Sequence, residues 1–298
     1  LLMESGADTS RIIRNMTRTA AYMGIPQEKL NLHIMYTTLM VNIQDDTHFY
    51  TGFRKCQHHG INMTVISALS KLSWRAMQKH YSLAEYERAL QTIALRPRFY
   101  SAWITALGAG FACGGFCKLF GSDWLAFFYT AVCAALGFGI RRLCNRWGFN
   151  SYAGIAISAC SATVLAFSTQ YLPLSATPWH PVIACALFIV PGIPLINSID
   201  DLLNNYIVSG STRAMNTLLM GASMTFGIVI AIRLLHITDF TSLNIIPDSI
   251  YISHALAAAI SAIGFSIIFY VPRHLLPAAA AGGIISVCLR NFFALELG

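Results

Sequence analysis

Charge is what this chain has least of. Asp, Glu, Lys and Arg make up 11% of its 298 residues and hydrophobic residues 55%, whereas an ordinary soluble domain is about 25% charged. Together with a mean hydropathy of +0.56, this excludes a soluble globular chain and indicates an integral membrane protein. Paired cysteine spacing is also missing. None of the eight cysteines forms a Cys-x-x-Cys, and Cys113, Cys117, Cys133, Cys160, Cys185 and Cys288 fall inside apolar runs, where a thiol acts as a small hydrophobe. Neither a disulfide framework nor a zinc site is expected. His58-His59 and the scattered histidines lack ligand spacing, so the expectation is no metal and no cofactor. Nothing in residues 1–98 resembles a phosphate-binding loop or a nucleophile elbow. The opening Leu1-Leu-Met-Glu-Ser-Gly6 lacks the basic-then-apolar layout of a signal peptide and reads as a truncated N-terminus. A net charge of +7 raises nucleic acid as a partner, but Arg141, Arg142 and Arg146 stand in one short connection between apolar runs. That placement fits positive-inside orientation, and nucleic acid is not expected.

What charge there is sits mostly in residues 1–98. Over residues 1–24, Leu2, Ile12, Ile13, Met16, Ala20 and Met23 share one helical face, and Arg11, Arg14 and Arg18 share another. The alternation in Leu30–Ile34, Thr38–Ile43 and His48–Phe53 predicts three strands, with Asp45-Asp46-Thr47 as a turn. Helices are expected over Met63–Lys79 and Leu83–Ile93. Residues 1–98 thus read as a small α/β domain.

From Phe99 onward the apolar runs near 99–120, 123–142, 151–171, 180–199, 214–235, 250–271 and 275–295 are each close to the ~20 residues that cross a bilayer as a helix. Arg96 and Arg98, the 141–146 arginines and Arg213 all fall on one side of the first five, and the opposite connections at Gly121–Asp123 and Gln170–Pro178 carry no Lys or Arg. This distribution predicts a cytoplasmic N-terminal domain. An internal repeat accompanies it: Ala106-Leu107, Gly115-Phe116, Phe120 and Arg141 recur as Ala255-Leu256, Gly264-Phe265, Phe269 and Arg290 at one offset. A unit with an odd number of spans must be followed by an upside-down copy, and inverted repeats mark secondary transporters. The expected fold class is an α-helical polytopic membrane protein with a small N-terminal cytoplasmic α/β domain. Its expected domains are 1–98, a five-span module at 99–235, and the first two spans of an inverted second repeat at 236–298, apparently cut short.

The fourth run is broken in its middle. In Phe188-Ile-Val-Pro191-Gly192-Ile-Pro194-Leu-Ile-Asn197-Ser-Ile-Asp200-Asp201, two prolines each remove a donor and a glycine relaxes the backbone between them. Hydrocarbon tolerates such a break mainly where it lines a cavity, and the polar residues below it suggest a transport path. Asp200 and Asp201 point about 100° apart on a helix, so only one faces that path. On a straight helix from His180, Asp201 would lie about 30 Å down, at the cytoplasmic mouth.

These residues resemble the threonine/serine exporter family of bacterial inner-membrane proteins. The likeness is carried by Pro191-Gly-Ile-Pro-Leu-Ile-Asn197, Asp201-Leu-Leu, Gly210 and Arg213, by Ser5-Gly-Ala-Asp-Thr-Ser-Arg11, and by Gly264-Phe265 through Pro272-Arg273. The resemblance implies a proton-motive-force-driven exporter of threonine and serine. It also brings in the family's two-subunit members, which are associated with succinate export, and favours Asp201 over Asp200.

Asp201 is thereby a candidate proton carrier or partner of a substrate ammonium, or alternatively a helix cap. Asn197 suits a substrate hydroxyl or carboxylate, or an interhelical hydrogen bond. Arg213 is either a latch on Asp201 or a positive-inside anchor. The expected partners are a small-molecule substrate, protons, the lipid bilayer and a second subunit or second copy. Two other classes stand beside the exporter. An intramembrane hydrolase would need two carboxylates facing each other across helices, and a membrane-anchored sensor or scaffold would place the function in residues 1–98.

Overall fold

The computed structural model describes all residues except 45–46, 57–58, 80, 97–98, 172–174, 176, 238–250 and 296–298. The turn expected at Asp45-Asp46, together with His58 and Arg98, lies outside the described residues. The chain forms α1 (Thr9–Tyr22), β1 (Leu30–Ile34), β2 (Thr38–Gln44), β3 (Phe49–Lys55), α2 (Met63–Lys79), α3 (Leu83–Ala94), α4 (Ala102–Leu119), α5 (Trp124–Arg146) and α6 (Ser151–Ser168). It continues with α7 (His180–Ala184), a short 3-10 turn at Leu187–Ile189, α8 (Gly192–Leu203), α9 (Ile207–Leu234), α10 (Tyr251–Ile268) and α11 (Leu276–Leu295). Among the described residues six helices are long and apolar enough to cross a membrane, or seven if the broken pair His180–Ile189 and Gly192–Leu203 counts as one span. The structure groups Leu1–Phe99 with Pro191–Leu218 as one unit, and Tyr100–Val190 with Leu219–Gly298 as another.

In the first unit the three strands form an antiparallel meander in the order β1-β2-β3, with Leu32 opposite Val41 and Val41 opposite Gly52. Met3, Ala7, Ile12, Cys56 and Ile66 make its core, with Ile34, Leu39 and Met63 packed around them. Burying a side chain such as Ile12 or Ile66 contributes about 1.5–3 kcal/mol. A second cluster, Leu72, Ala76 and Tyr86, joins α2 to α3. The amphipathic pattern over residues 1–24 overestimates the first helix. Asp8 caps it by accepting from the Arg11 N–H at 2.6 Å, and Gly6 sits at φ +81°, so α1 starts at Thr9.

In the second unit the helices meet through small residues, as bilayer packing favours where hydrophobic sorting between helices is weak. Gly110 and Gly114 of α4 lie on the backbone of Ala131 and Phe127 of α5, and Gly227 of α9 lies on that of Ala156 of α6. The expectation that Arg141, Arg142 and Arg146 occupy a connection is corrected. They form the last turns of α5, where cations suit the negative end of the helix, and the helix is closed just beyond by Gly148 at φ +76°.

Helices α4 and α10 run antiparallel. A Cβ on Gly108 would stand 3.1 Å from the Gly264 carbonyl, and one on Gly115 would stand 2.6 Å from that of Ala257. These two contacts exchange under an offset of 149 residues, and the hydrogen bond from Ser261 to the Ala112 carbonyl at 2.9 Å, which spans that same separation, maps onto itself. The bounds obey the offset too. Both α4 and α10 are 18 residues long, and Gly121 and Tyr270, each at the end of one of them, both have positive φ (94° and 55°).

Candidate functional site

Why Pro191, Gly192 and Pro194 occur together is explained by the start of α8. They occupy the N-cap and first turn, where N–H groups have no intrahelical acceptor and proline gives up nothing. The end of α8 is equally well defined. The Tyr206 N–H donates to the Asp201 carbonyl at 2.8 Å and the Asn205 N–H to that of Leu202 at 3.1 Å, with Asn205 at φ 64°. This is the two-bond Schellman closure, with asparagine in the left-handed position. A Cβ on Gly210 would meet Leu202 Cγ at 2.8 Å, so glycine lets α9 return closely along α8. Ser209 and Arg213, four residues apart on α9, therefore share a face with Asp201.

Asp201 is fully buried, at 0% exposure. Its Oδ1 accepts from the Thr9 N–H at 2.9 Å, and its Oδ2 accepts from the Thr9 hydroxyl at 2.9 Å and the Ser209 hydroxyl at 3.1 Å. Arg213 Nε lies 2.9 Å from Oδ2 as an ion pair, with its N–H off the line of a hydrogen bond. The Arg213 guanidinium also donates from Nη2 to the Ala7 carbonyl at 2.9 Å and lies 5.5 Å over the Tyr36 ring. Tyr36 stacks on His59 at 4.1 Å, and its hydroxyl accepts from Asn216 Nδ2 at 2.8 Å. Asn197 Nδ2 donates to the Gly6 carbonyl at 2.8 Å.

These contacts bring together two stretches that the sequence shows far apart. Gly6, Ala7 and Thr9 come from the segment Ser5–Arg11, and Asn197, Asp201, Ser209 and Arg213 from the α8–α9 hairpin. Thr9 opens α1, so its N–H is one of the orphan donors of a helix start, and the Asp201 carboxylate satisfies it at the positive end of the helix dipole. Every close neighbour of that carboxylate is a donor, two of them hydroxyls and one charged. Among the described residues these contacts tie the segment Ser5–Arg11 to the α8–α9 hairpin through charge-assisted hydrogen bonds and one ion pair.

Of the expected site residues, Asn197, Asp201 and Arg213 therefore meet one N-terminal segment. Asp200 points outward and accepts from Asn204 Nδ2 at 3.2 Å. Pro191, Gly192 and Pro194 shape the helix start without entering the cluster. The straight-helix placement of Asp201 is corrected, because the chain between His180 and Asp201 is two helices broken at Val190–Pro191. Thr9, Ser209 and Tyr36 escape the sequence reading. The signals for Thr9 are its place directly after the capping Asp8 and inside the stretch Ser5–Arg11 that carries part of the family likeness. Among the described residues, no group of three or more His, Cys, Asp or Glu is placed to hold a metal ion.

Long apolar helices, one of them broken, mark a multi-pass membrane protein, with the Asp201–Arg213 ion pair buried where α8 turns into α9. The chain belongs to the threonine/serine exporter family: the family pattern described as "Putative threonine/serine exporter" matches residues 1–235. It is 26% identical to the "Probable succinate transporter subunit YjjP" of Klebsiella aerogenes, over 78% of this chain and 89% of that protein. The protein of that name in Escherichia coli is 25% identical, over 78% of this chain and 90% of its own length. The "Probable threonine/serine exporter" of Mycobacterium tuberculosis is 24% identical over the whole chain, which spans 58% of that protein. No solved structure matches.

Proposed function

We propose that this chain is part of a secondary transporter that exports threonine or serine across the bacterial inner membrane, driven by the proton motive force, with residues 1–98 in the cytoplasm. The observation that carries this reading is the exchange of the α4–α10 contacts under a single residue offset. Antiparallel counterparts related in this way are what two inverted repeats produce, and such repeats flank the substrate site of many secondary transporters. The second copy begins at α10 and continues through α11.

The substrate path runs past the break at Pro191, Gly192 and Pro194, with Asn197, Asp200, Asp201 and Arg213 below it. Asp201 and Arg213 form the intracellular latch, and the N-terminal segment that fastens them senses the state of the hairpin. Family membership and the mycobacterial relative favour an amino acid as cargo. A dicarboxylate such as succinate is the second reading, favoured by the two relatives that match this chain over 89% and 90% of their lengths. Both are named as subunits, which supports a second membrane subunit here.

The test is counterflow in vesicles that hold the complete assembly, with labelled threonine, serine and succinate, with and without a pH gradient. Gradient-stimulated exchange of threonine or serine is expected. Exchange of succinate alone would select the second reading. No flux of any of the three would overturn both and leave a membrane-anchored sensor or scaffold.

A further inference from the structure

The 149-residue offset relates more than the α4–α10 crossing. In the first turn of α4, Thr105 is 1% exposed and its hydroxyl accepts from Arg142 Nη1 of α5 at 2.8 Å. Under the offset the counterpart of Thr105 is His254 in the first turn of α10, and that of Arg142 is Asn291 of α11. These two also touch, with Asn291 Nδ2 3.3 Å from His254 Nδ1, and they are 3% and 0% exposed. Each pair ties the first helix of its copy to the second. Because α4 and α10 are antiparallel, the two ties lie at opposite ends of the helices. One tie holds no side chain that titrates at physiological pH, and the other holds an imidazole.

We propose that His254 is a proton-binding site of this transporter, and that its protonation breaks the α10–α11 tie while the α4–α5 tie persists. This inference rests on the exporter reading above. The donor set fixes the starting state. Arg290 donates from Nε and Nη2 to Asn291 Oδ1 at 3.2 and 3.0 Å, so the amide nitrogen is the atom turned toward the ring. An amide N–H only donates; His254 Nδ1 therefore accepts, and the ring proton sits on Nε2. When Nδ1 takes up a proton from water it becomes a donor facing a donor. The contact then opens, because turning the amide over would set its NH2 against the two Arg290 donors. Arg142 and Thr105 offer no such switch, since a guanidinium stays charged at any physiological pH. A proton thereby moves one repeat and not the other, which alternating access requires.

Helix α10 packs against α4 and α11. On α11 the charged group is Arg290. On α4 it is Lys118, one turn beyond Gly115, 8% exposed, with Nζ donating to the Ser122 carbonyl at 2.6 Å. The thiols at this level are Cys117 and Cys288. Asp123, which caps α5, accepts from the Ala126 N–H at 2.7 Å and the Ser175 hydroxyl at 3.0 Å. A proton on His254 raises this end from two cations, Arg290 and Lys118, against one carboxylate, Asp123, to three against one, and a substrate carboxylate would supply the added counter-charge. Proton uptake and cargo binding are thereby linked.

The test follows the ring itself in the full chain in lipid vesicles, by nitrogen-15 magnetic resonance of labelled histidine, with the signal assigned through its loss in His254→Gln. At neutral pH one ring nitrogen should be unprotonated. Acidification from about pH 8 to about pH 5 should protonate it, and Asn291→Leu should move the midpoint by about one pH unit or more, a tenfold change in proton affinity. A ring that keeps one protonation state throughout, or a midpoint indifferent to Asn291→Leu, overturns the proposal. In transport, His254→Gln, whose amide oxygen still accepts from Asn291, should abolish the stimulation of counterflow by a pH gradient. Undiminished stimulation also overturns it. Absence of counterflow in the unaltered assembly would instead count against the exporter reading, leaving the resonance titration to decide on His254.

Discussion

Thr9 and Asp201 are 192 residues apart in the chain, yet the backbone and hydroxyl of the one reach the two carboxylate oxygens of the other at 2.9 Å each. One carboxylate thus finishes the start of α1 and neutralises Arg213, which is 5% exposed. Removing it leaves a guanidinium buried without its counter-charge. Asp201→Ala should therefore cost about 3–5 kcal/mol, read as a lower thermal unfolding midpoint in detergent. An unchanged midpoint would show that the pair is dispensable.

Thr9 contributes through its hydroxyl as well as its backbone, and the two contributions can be separated. Thr9→Val keeps the shape and the N–H but removes a hydrogen bond to a charged acceptor, a loss of about 1.5–3 kcal/mol. Thr9→Ser should restore most of it. Since Ser209 Oγ lies 2.9 Å from Thr9 Oγ1 and shares Oδ2, Thr9→Val and Ser209→Ala should be non-additive in a double-mutant cycle. Strict additivity would mean that the two hydroxyls act independently.

The residues differ in how openly the sequence announces them. Alternation in Leu30-Asn-Leu-His-Ile places β1 at its observed bounds, and helix length alone finds the apolar spans, because periodicity and run length are local properties. Asp201 and Arg213 stand out because ionised groups at the edges of apolar runs are expensive. Thr9 does not, since a hydroxyl beside a helix cap is ordinary until its partner, far along the chain, is known. The end of α5 is misjudged for a similar reason: arginines that resemble a loop are also what the C-terminus of a helix favours. Apolar Leu2 and Met3 likewise extend the pattern of α1 past Asp8 and Gly6, whose cap and left-handed turn decide the real start.

Helix α3 should respond to acid. The Ser82 backbone N–H, and then its hydroxyl, hold the Glu85 carboxyl below its ordinary value, in a reciprocal cap with Glu85 Oε2 at 2.7 and 2.9 Å. A carboxyl depressed in the folded state adds stability above its unfolded value of about 4.3, and this is lost as pH falls through the lower folded value. Hydrogen-exchange protection over the first turn of α3 should therefore drop on acidification through that range. In Ser82→Ala it should be weak at every pH, and protection that persists in acid would show that the cap contributes little.

The α4–α10 crossing allows the offset to be tested on stability alone. A Cβ on Gly264 would stand 2.5 Å from the Gly108 carbonyl, and one on its counterpart Gly115 would stand 2.6 Å from that of Ala257. In both cases the obstacle is backbone, which cannot swing aside. Gly264→Ala and Gly115→Ala should thus each force the helices apart and cost about 1–3 kcal/mol, measured as the folded fraction surviving a detergent challenge. Gly139→Ala is the control, with nothing within 4 Å of the added carbon and a helix interior that favours alanine by about 1 kcal/mol. Because the two contacts are counterparts, the two losses should be of similar size. A Gly115→Ala protein as robust as the parent, beside a crippled Gly264→Ala protein, would mean that the stability of the crossing does not follow the offset.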